Sequence, residues 1–331
     1  MKSRPMVLAF FGLALWVVVL SACTHRPYDG KLNLETPPPT SGAEEIAVFK
    51  YDHAPVNISL KFEEDTDKFA IYLVKFDVKD FPELKNRYAR AYYFVQKKKN
   101  VKAPCMIVLP PTGGGMELTK DFATFYAENG FTTLSFYRRE MFFNPDQDME
   151  YNTRLIQQSV IDVQRGLDFL QTQPEVDIDK VGLMGVSLGG IIGALATEAD
   201  GRIKASSFLI SSGNLPKILE TSGYSRVRKF RSGMMERYHK KTVEELIEFL
   251  RPQLAPVDPI TYAKRLDPAR VLMINGNMDN IIALEAARDT WEAFGHPEWR
   301  TLPCGHYSAF LLVKYAKKVT MEHFKKVLNL S

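Results

Sequence analysis

Cysteine is scarce in this chain of 331 residues: there are three, and no Cys-x-x-Cys pair among them. That excludes a disulfide scaffold. The six histidines fall at no metal-ligand spacing. Long hydrophobic runs are also nearly missing. Only residues 6–20 are continuously apolar, which excludes a polytopic membrane protein. Charge of one sign is missing as well: 43 Lys+Arg stand against 39 Asp+Glu, a formal +4. Such a balance argues against a nucleic-acid binder. No internal repeat is present. What is there is ordinary globular composition, 45% hydrophobic, in a length that suits one large domain or two small ones.

The first residues read as an address. Lys2 and Arg4 precede the apolar run, and Ser21, Ala22 and Cys23 follow it. The run is shorter than the roughly 18–20 residues of a spanning helix, and the layout is that of a signal peptide over residues 1–22. Leu20-Ser21-Ala22-Cys23 resembles the lipobox of bacterial lipoproteins. The resemblance implies that Cys23 is lipidated and becomes the first mature residue, and Thr24 after it, not Asp, implies sorting to the outer membrane of the cell envelope. Loss of Lys2 and Arg4 takes the charge from +4 to +2. Residues 23–44, with Pro37-Pro38-Pro39, are expected to be a semi-rigid tether. Cys105 and Cys304 are expected to stay unpaired, on strands far apart.

Residues 45–331 read as the folded domain. Over 45–100 the pattern is strand-like, with period-2 alternation at 69–76 and a β-prone run at 92–95. This stretch is an N-terminal β extension, either an added sheet edge or a small unit of its own. From residue 101 strands alternate with helices. Strands are expected at 106–109, 131–137, 180–184, 203–210, 270–274 and 299–302. Helices are expected at 118–129, 152–171, 188–197, 284–294 and 309–328. Ile156, Val160, Val163, Leu167 and Leu170 mark the buried stripe of the second helix. The alternation predicts an α/β fold, a mostly parallel sheet covered on both faces, with ligands beyond the carboxyl ends of the strands. Residues 214–257 are too long for a plain connection and read as a small, partly helical cap insertion.

Gly185-Val186-Ser187-Leu188-Gly189 is G-x-S-x-G, directly after an expected strand and directly before an expected helix. In that context it reads as a nucleophile elbow: the turn is so tight that residues two before and two after the serine must be small. A serine needs a base. His306 follows the last strand. His296 lies between a helix and the following strand, at the other end of the sheet, and His25, His53, His239 and His323 are poorly placed. Asp279, after the strand at 270–274, would orient His306; Asp258 and Asp289 are rivals. Leu188 would give one oxyanion amide. Thr112 or Gly113 would give the second, because Pro110 and Pro111 have no N–H. The glycine loop 112–115 lacks the Lys and Ser of a P-loop.

The order Ser187, Asp279, His306 is that of the α/β-hydrolases. Residues 101–331 resemble that superfamily, especially its dienelactone-hydrolase-like and acetyl-esterase-like members. The resemblance implies an eight-stranded sheet and ester hydrolysis through an acyl-enzyme without a cofactor or metal, on a small-molecule or saccharide ester. Pro110-Pro111 stands where the acetyl-esterase branch has the histidine of His-Gly-Gly-Gly. Two other readings are weaker. Residues 45–100 are too short for the propeller of a prolyl-oligopeptidase-type peptidase, whose blades need about 40–45 residues each. A non-catalytic binding lipoprotein would not need the whole Ser-Asp-His set. Met141, Phe142 and Phe143 read equally as acyl-pocket wall or as core. The basic stretch 226–241 reads as a solvated helix face, with attraction of an acidic substrate or of anionic lipid headgroups as the alternative.

Overall fold

In the computed structural model the structure describes residues 23–34, 45–54, 56–78, 80–85, 87–97, 101–112, 116–140 and 142–331. Ten strands form one sheet in the order β1-β10-β9-β8-β7-β5-β6-β4-β3-β2. They are β1 Thr24–Arg26, β2 Ile58–Asp65, β3 Phe69–Asp77, β4 Tyr88–Gln96, β5 Ala103–Leu109, β6 Thr132–Phe136, β7 Val176–Val186, β8 Ile203–Leu209, β9 Val271–Gly276 and β10 Glu298–Leu302. The strands from β5 to β10 run parallel. The sheet is extended antiparallel by β4, β3 and β2 at one edge and by β1 at the other. The resemblance implies eight strands and the described residues form ten. The N-terminal stretch continues the same sheet, because β4 pairs with β6 through Ala91–Phe94.

The helices of the described residues are α1 Met116–Glu128, α2 Met149–Gln171, α3 Leu188–Ala199, α4 Leu215–Thr221, α5 Ser225–Arg237, α6 Val243–Leu254, α7 Leu284–Ala293 and α8 Val313–Val327, besides a helical turn at Pro259–Tyr262. Strand alternation feeds two cores. Cys105, Ile107 and Leu109 of β5 face one, with Ile156 and Val160 of α2 and Leu195 of α3. Met106 and Val108 face the other, with Tyr126 of α1 and Phe324 of α8. The expected helix at 152–171 begins at Met149, because the Asp148 carboxylate caps it by accepting from the Tyr151 N–H at 2.8 Å. The expected last helix at 309–328 instead opens as a 3-10 turn, Ser308–Leu312, before α8.

A tether is expected from Cys23 onward, but its described part is docked. Thr24 pairs with Thr301 and Arg26 with Trp299. Arg26 lies over the rings of Trp291 and Trp299. The Asn33 carbonyl accepts from Arg270 at 2.8 Å. Three polar residues carry no strand pattern of their own; the exposed edge of β10 supplies their partners. The expected signal peptide, residues 1–22, and the proline run lie outside the described residues. Cys105 and Cys304 are both buried and unpaired, on or next to β5 and β10, with β7, β8 and β9 between. Among the described residues no helix is long and apolar enough to cross a membrane.

His323 of α8 is buried in the second layer, its Nε2 3.3 Å from the Arg270 carbonyl oxygen. Burial above all holds its pKa down to about 4, with Lys326 adding to this and Glu298 opposing it. The unfolded chain protonates this ring near the ordinary histidine value while the folded chain does not. Stability is therefore whole above that value and falls as pH drops toward 4. Between pH 7 and 4.5 this one group is expected to remove about 2–3 kcal/mol. Urea titrations of His323→Gln and the wild type at both pH values measure it. The loss should be smaller in the variant by that amount.

Candidate active site

The strand β7 ends at Val186 and the helix α3 begins at Leu188, so Ser187 alone makes the turn. Its backbone lies at φ 53°, ψ −118°, a conformation that side chains rarely adopt. The turn is held from both sides. Ser187 N–H donates to the Leu209 carbonyl at 2.8 Å, and the Ser211 hydroxyl donates to the Ser187 carbonyl at 2.8 Å. The glycines are steric necessities. A Cβ at Gly185 would lie 2.1 Å from the Gly189 oxygen, one at Gly189 2.4 Å from the Leu109 oxygen, and one at Gly190 2.4 Å from Ser211 Cβ.

The three side chains expected from the sequence meet here. Ser187 Oγ is 3.0 Å from His306 Nε2, and His306 Nδ1 is 2.7 Å from Asp279 Oδ2. A carboxylate only accepts, so this contact puts the imidazole proton on Nδ1 and leaves Nε2 bare toward the serine. Asp279 is 1% exposed and His306 10%. The other oxygen of Asp279 accepts from the N–H groups of Ile281 and Ile282 at 2.8 and 3.0 Å, which fixes the carboxylate. The two loops are themselves joined: Met278 N–H donates to the Cys304 carbonyl at 3.1 Å.

The rivals are accounted for by structure. His296 stacks on Trp291 in the turn entering β10, at the far end of the sheet. Asp258 accepts from Leu215 and Ile260 N–H groups, and Asp289 accepts from the Asn214 amide at 2.7 Å. His25 and His53 lie against Glu298 and Glu45.

Leu188 is the first residue of α3, where a backbone N–H has no acceptor inside its helix. Thr112 lines the same cavity as Ser187, and its carbonyl is taken by the Arg138 guanidinium. Gly113, the other candidate for the second oxyanion amide, lies outside the described residues, as do Gly114 and Gly115. Among the described residues no group of three or more His, Cys, Asp or Glu side chains is placed to hold a metal ion.

Ser187 and His306 open into a cavity of about 320 Å³, small on the scale of ligand sites. Its wall is mostly apolar and includes Ile218, Val227, Ile281, Ile282, Phe143 and Phe310. Phe142 and Phe143 both belong to the buried core, with ring centroids 4.2 Å apart. Phe143 also lines the cavity and packs on Phe230 of the cap, and Met141 lies outside the described residues. The cap, α4 to α6, sits over α2, and its cations do mixed work. Arg231 donates to the last carbonyls of α4, those of Leu219 and Glu220, and Lys240 lies over Phe249, while Arg228 and Lys229 are exposed. Sequence reasoning did not find Ile281, Ile282, Tyr307, Ala309, Phe310 or Leu312 as cavity wall. They stand next to Asp279 and His306 in the chain, and that adjacency was the available signal.

Superposition decides the architecture. An acetyl xylan esterase from Paenibacillus sp. R4 matches with a TM-score of 0.66 at 18% identity, over 85% of this chain and 91% of that one. Acetyl xylan esterase 1 from Thermoanaerobacterium sp. JW/SL YS485 matches at 0.62 and 18%, over 83% and 89%. The alpha/beta hydrolase GrgF from Penicillium sp. sh18 matches at 0.53 and 16%, over 78% and 99%. The chain has the α/β-hydrolase fold. Residues 90–218 also match the dienelactone hydrolase family; that segment runs from β4 through the Ser187 turn to α4. No curated protein matches the sequence.

Proposed function

We propose that this α/β-hydrolase is a serine hydrolase that cleaves carboxylic esters. The observation that carries the reading is the chain Ser187–His306–Asp279, bonded at 3.0 and 2.7 Å on the floor of an apolar cavity. Ser187 Oγ attacks the ester carbonyl while His306 Nε2 takes its proton, and Asp279 stabilises the imidazolium. The oxyanion is held by the Leu188 N–H and a second amide from Thr112 or Gly113. The tetrahedral intermediate collapses, the alcohol leaves with the proton from His306, and the acyl group stays on Ser187. A water, deprotonated by the same Nε2, then releases the acid and restores the serine.

The names of the structural relatives, acetyl xylan esterases, support a saccharide or other small-molecule ester. The cavity supports an acyl group longer than acetyl, because its apolar wall continues from Ser187 to Ile218 and Phe310. The lipobox-like Leu20-Ser21-Ala22-Cys23 supports a protein lipidated at Cys23 and held at the outer membrane of a bacterial envelope.

The test is a p-nitrophenyl ester series from acetate to decanoate, run on the full chain expressed in a bacterium and extracted from its membranes. The mass of its N-terminal peptide is read in parallel for acylated Cys23. Turnover is expected to peak above acetate and to fall once the acyl chain outgrows the cavity. Inertness to every ester and to a fluorophosphonate probe would refute the reading.

A further inference from the structure

Beside the cavity two loops leave large apolar side chains exposed, and two of these, Tyr307 and Phe310, also line it. Tyr307 is 69% exposed, Phe310 65%, Leu311 82% and Met278 63%. The first three lie in the turn just after His306, and Met278 just before Asp279. The two loops adjoin: a Cβ on Gly305 would lie 3.2 Å from the Met278 carbonyl oxygen. Four large apolar side chains in one patch, beside a functional cavity, cost free energy in water that a soluble enzyme of a soluble substrate has no reason to bear.

The same edge of the sheet carries Cys23. β1 runs antiparallel to β10 with Thr24 opposite Thr301. Cys23 therefore lies past Thr301, toward the carboxyl end of β10, from which the chain continues to Cys304 and His306. It is close enough to raise the pKa of the Cys304 thiol, after burial and Asp279. The strand pairing holds it there. One turn beyond Leu311, Lys314 is exposed and makes no ion pair among the described residues.

We propose that this rim is a membrane-contact surface. Leu311, Phe310, Tyr307 and Met278 enter the boundary of the bilayer that holds Cys23, and Lys314 meets its anionic headgroups. The cavity then opens onto lipid, and the enzyme takes amphiphilic acyl esters from the bilayer rather than esters dissolved in water. Part of this rests on the esterase reading and on lipidation of Cys23. The contact itself rests on where the apolar rim and the first strand lie.

The test uses the full chain reconstituted in vesicles of phosphatidylethanolamine and phosphatidylglycerol. Leu311→Cys is labelled with an environment-sensitive fluorophore, and the wild-type chain carried through the same labelling gives the background. The probe is expected to shift to the blue and to be quenched by lipid-borne quenchers. Leu311→Asp is expected to lower turnover of an octanoyl ester carried in the vesicles roughly tenfold and to leave turnover of dissolved p-nitrophenyl acetate unchanged. A probe that reports water, or an Asp variant that turns over both esters as the wild type does or loses both equally, overturns the proposal. Should the wild type cleave neither ester, the hydrolase reading falls, and the probe at residue 311 still decides the contact.

Discussion

Ser187→Ala is expected to lower turnover of the best p-nitrophenyl ester by on the order of 10⁴–10⁶-fold, and His306→Ala by a similar factor. The two losses should not add. In the proposed mechanism Ser187 Oγ, 3.0 Å from His306 Nε2, gives its proton to that nitrogen, so removal of either would leave only the cavity and the proposed oxyanion amides. The double variant should be no slower than the worse single one. Both side chains contact the cavity without filling a core, so both variants should unfold in urea within about 1 kcal/mol of the wild type. Asp279→Asn should retain the fold's geometry but turn the imidazole, because an amide NH₂ in place of Oδ2 cannot accept from Nδ1. Measured kcat/KM for the set decides the matter, and a Ser187→Ala enzyme with wild-type turnover would end the assignment.

The second large effect is steric. Gly185→Ala puts a methyl 2.1 Å from the Gly189 oxygen and 2.6 Å from the Gly190 nitrogen. These are backbone atoms of the first turn of α3, which cannot swing aside as a side chain can. The elbow must open, and with it the Oγ of Ser187 moves relative to His306. A displacement of about 1 Å costs about 10²-fold in rate, and the distortion is expected to cost about 2–4 kcal/mol of stability. Gly130→Ala is the control. Gly130, unlike Gly185, has a left-handed backbone, φ 90°, but a methyl there meets nothing within 4 Å. It should cost only about 1 kcal/mol and leave kcat alone. Urea unfolding and kcat/KM of both variants distinguish a crowded glycine from a merely strained one.

The sequence made the parallel half of the sheet legible because most strands there are apolar and buried on both faces and alternate with helices. Residues 106–109 read as a strand at sight, and α2 declares its stripe from Ile156 to Leu170. The candidate site residues were legible by the same logic. Once the strands are placed, Ser187, Asp279 and His306 are what stands beyond their carboxyl ends, and His296 is excluded by lying at the other end. What was not legible depends on distant partners. Thr24-His25-Arg26 has no periodicity and becomes a strand only against β10. The Ser308–Leu312 turn reads as helix because its apolar residues fit a helical stripe, yet none of its residues is buried. Phe142 and Phe143 are chemically alike and both buried in the core, yet only Phe143, with its left-handed backbone at φ 59°, also lines the cavity.

The far edge of the sheet has a different consequence. The strand β2 is exposed along its whole length, with Ile58, Leu60 and Phe62 in water. A flat strand of that kind would be a template for a second chain. Its pairing to β3 slips between Phe62 and Glu64, and Lys61, Glu63, Glu64 and Asp65 line it with both signs of charge. The slip breaks the straight ladder that an incoming strand would follow, and the charges would be stripped of water if one arrived. Crowded side by side on a surface, copies of this protein can touch along β2 without their sheets fusing into one.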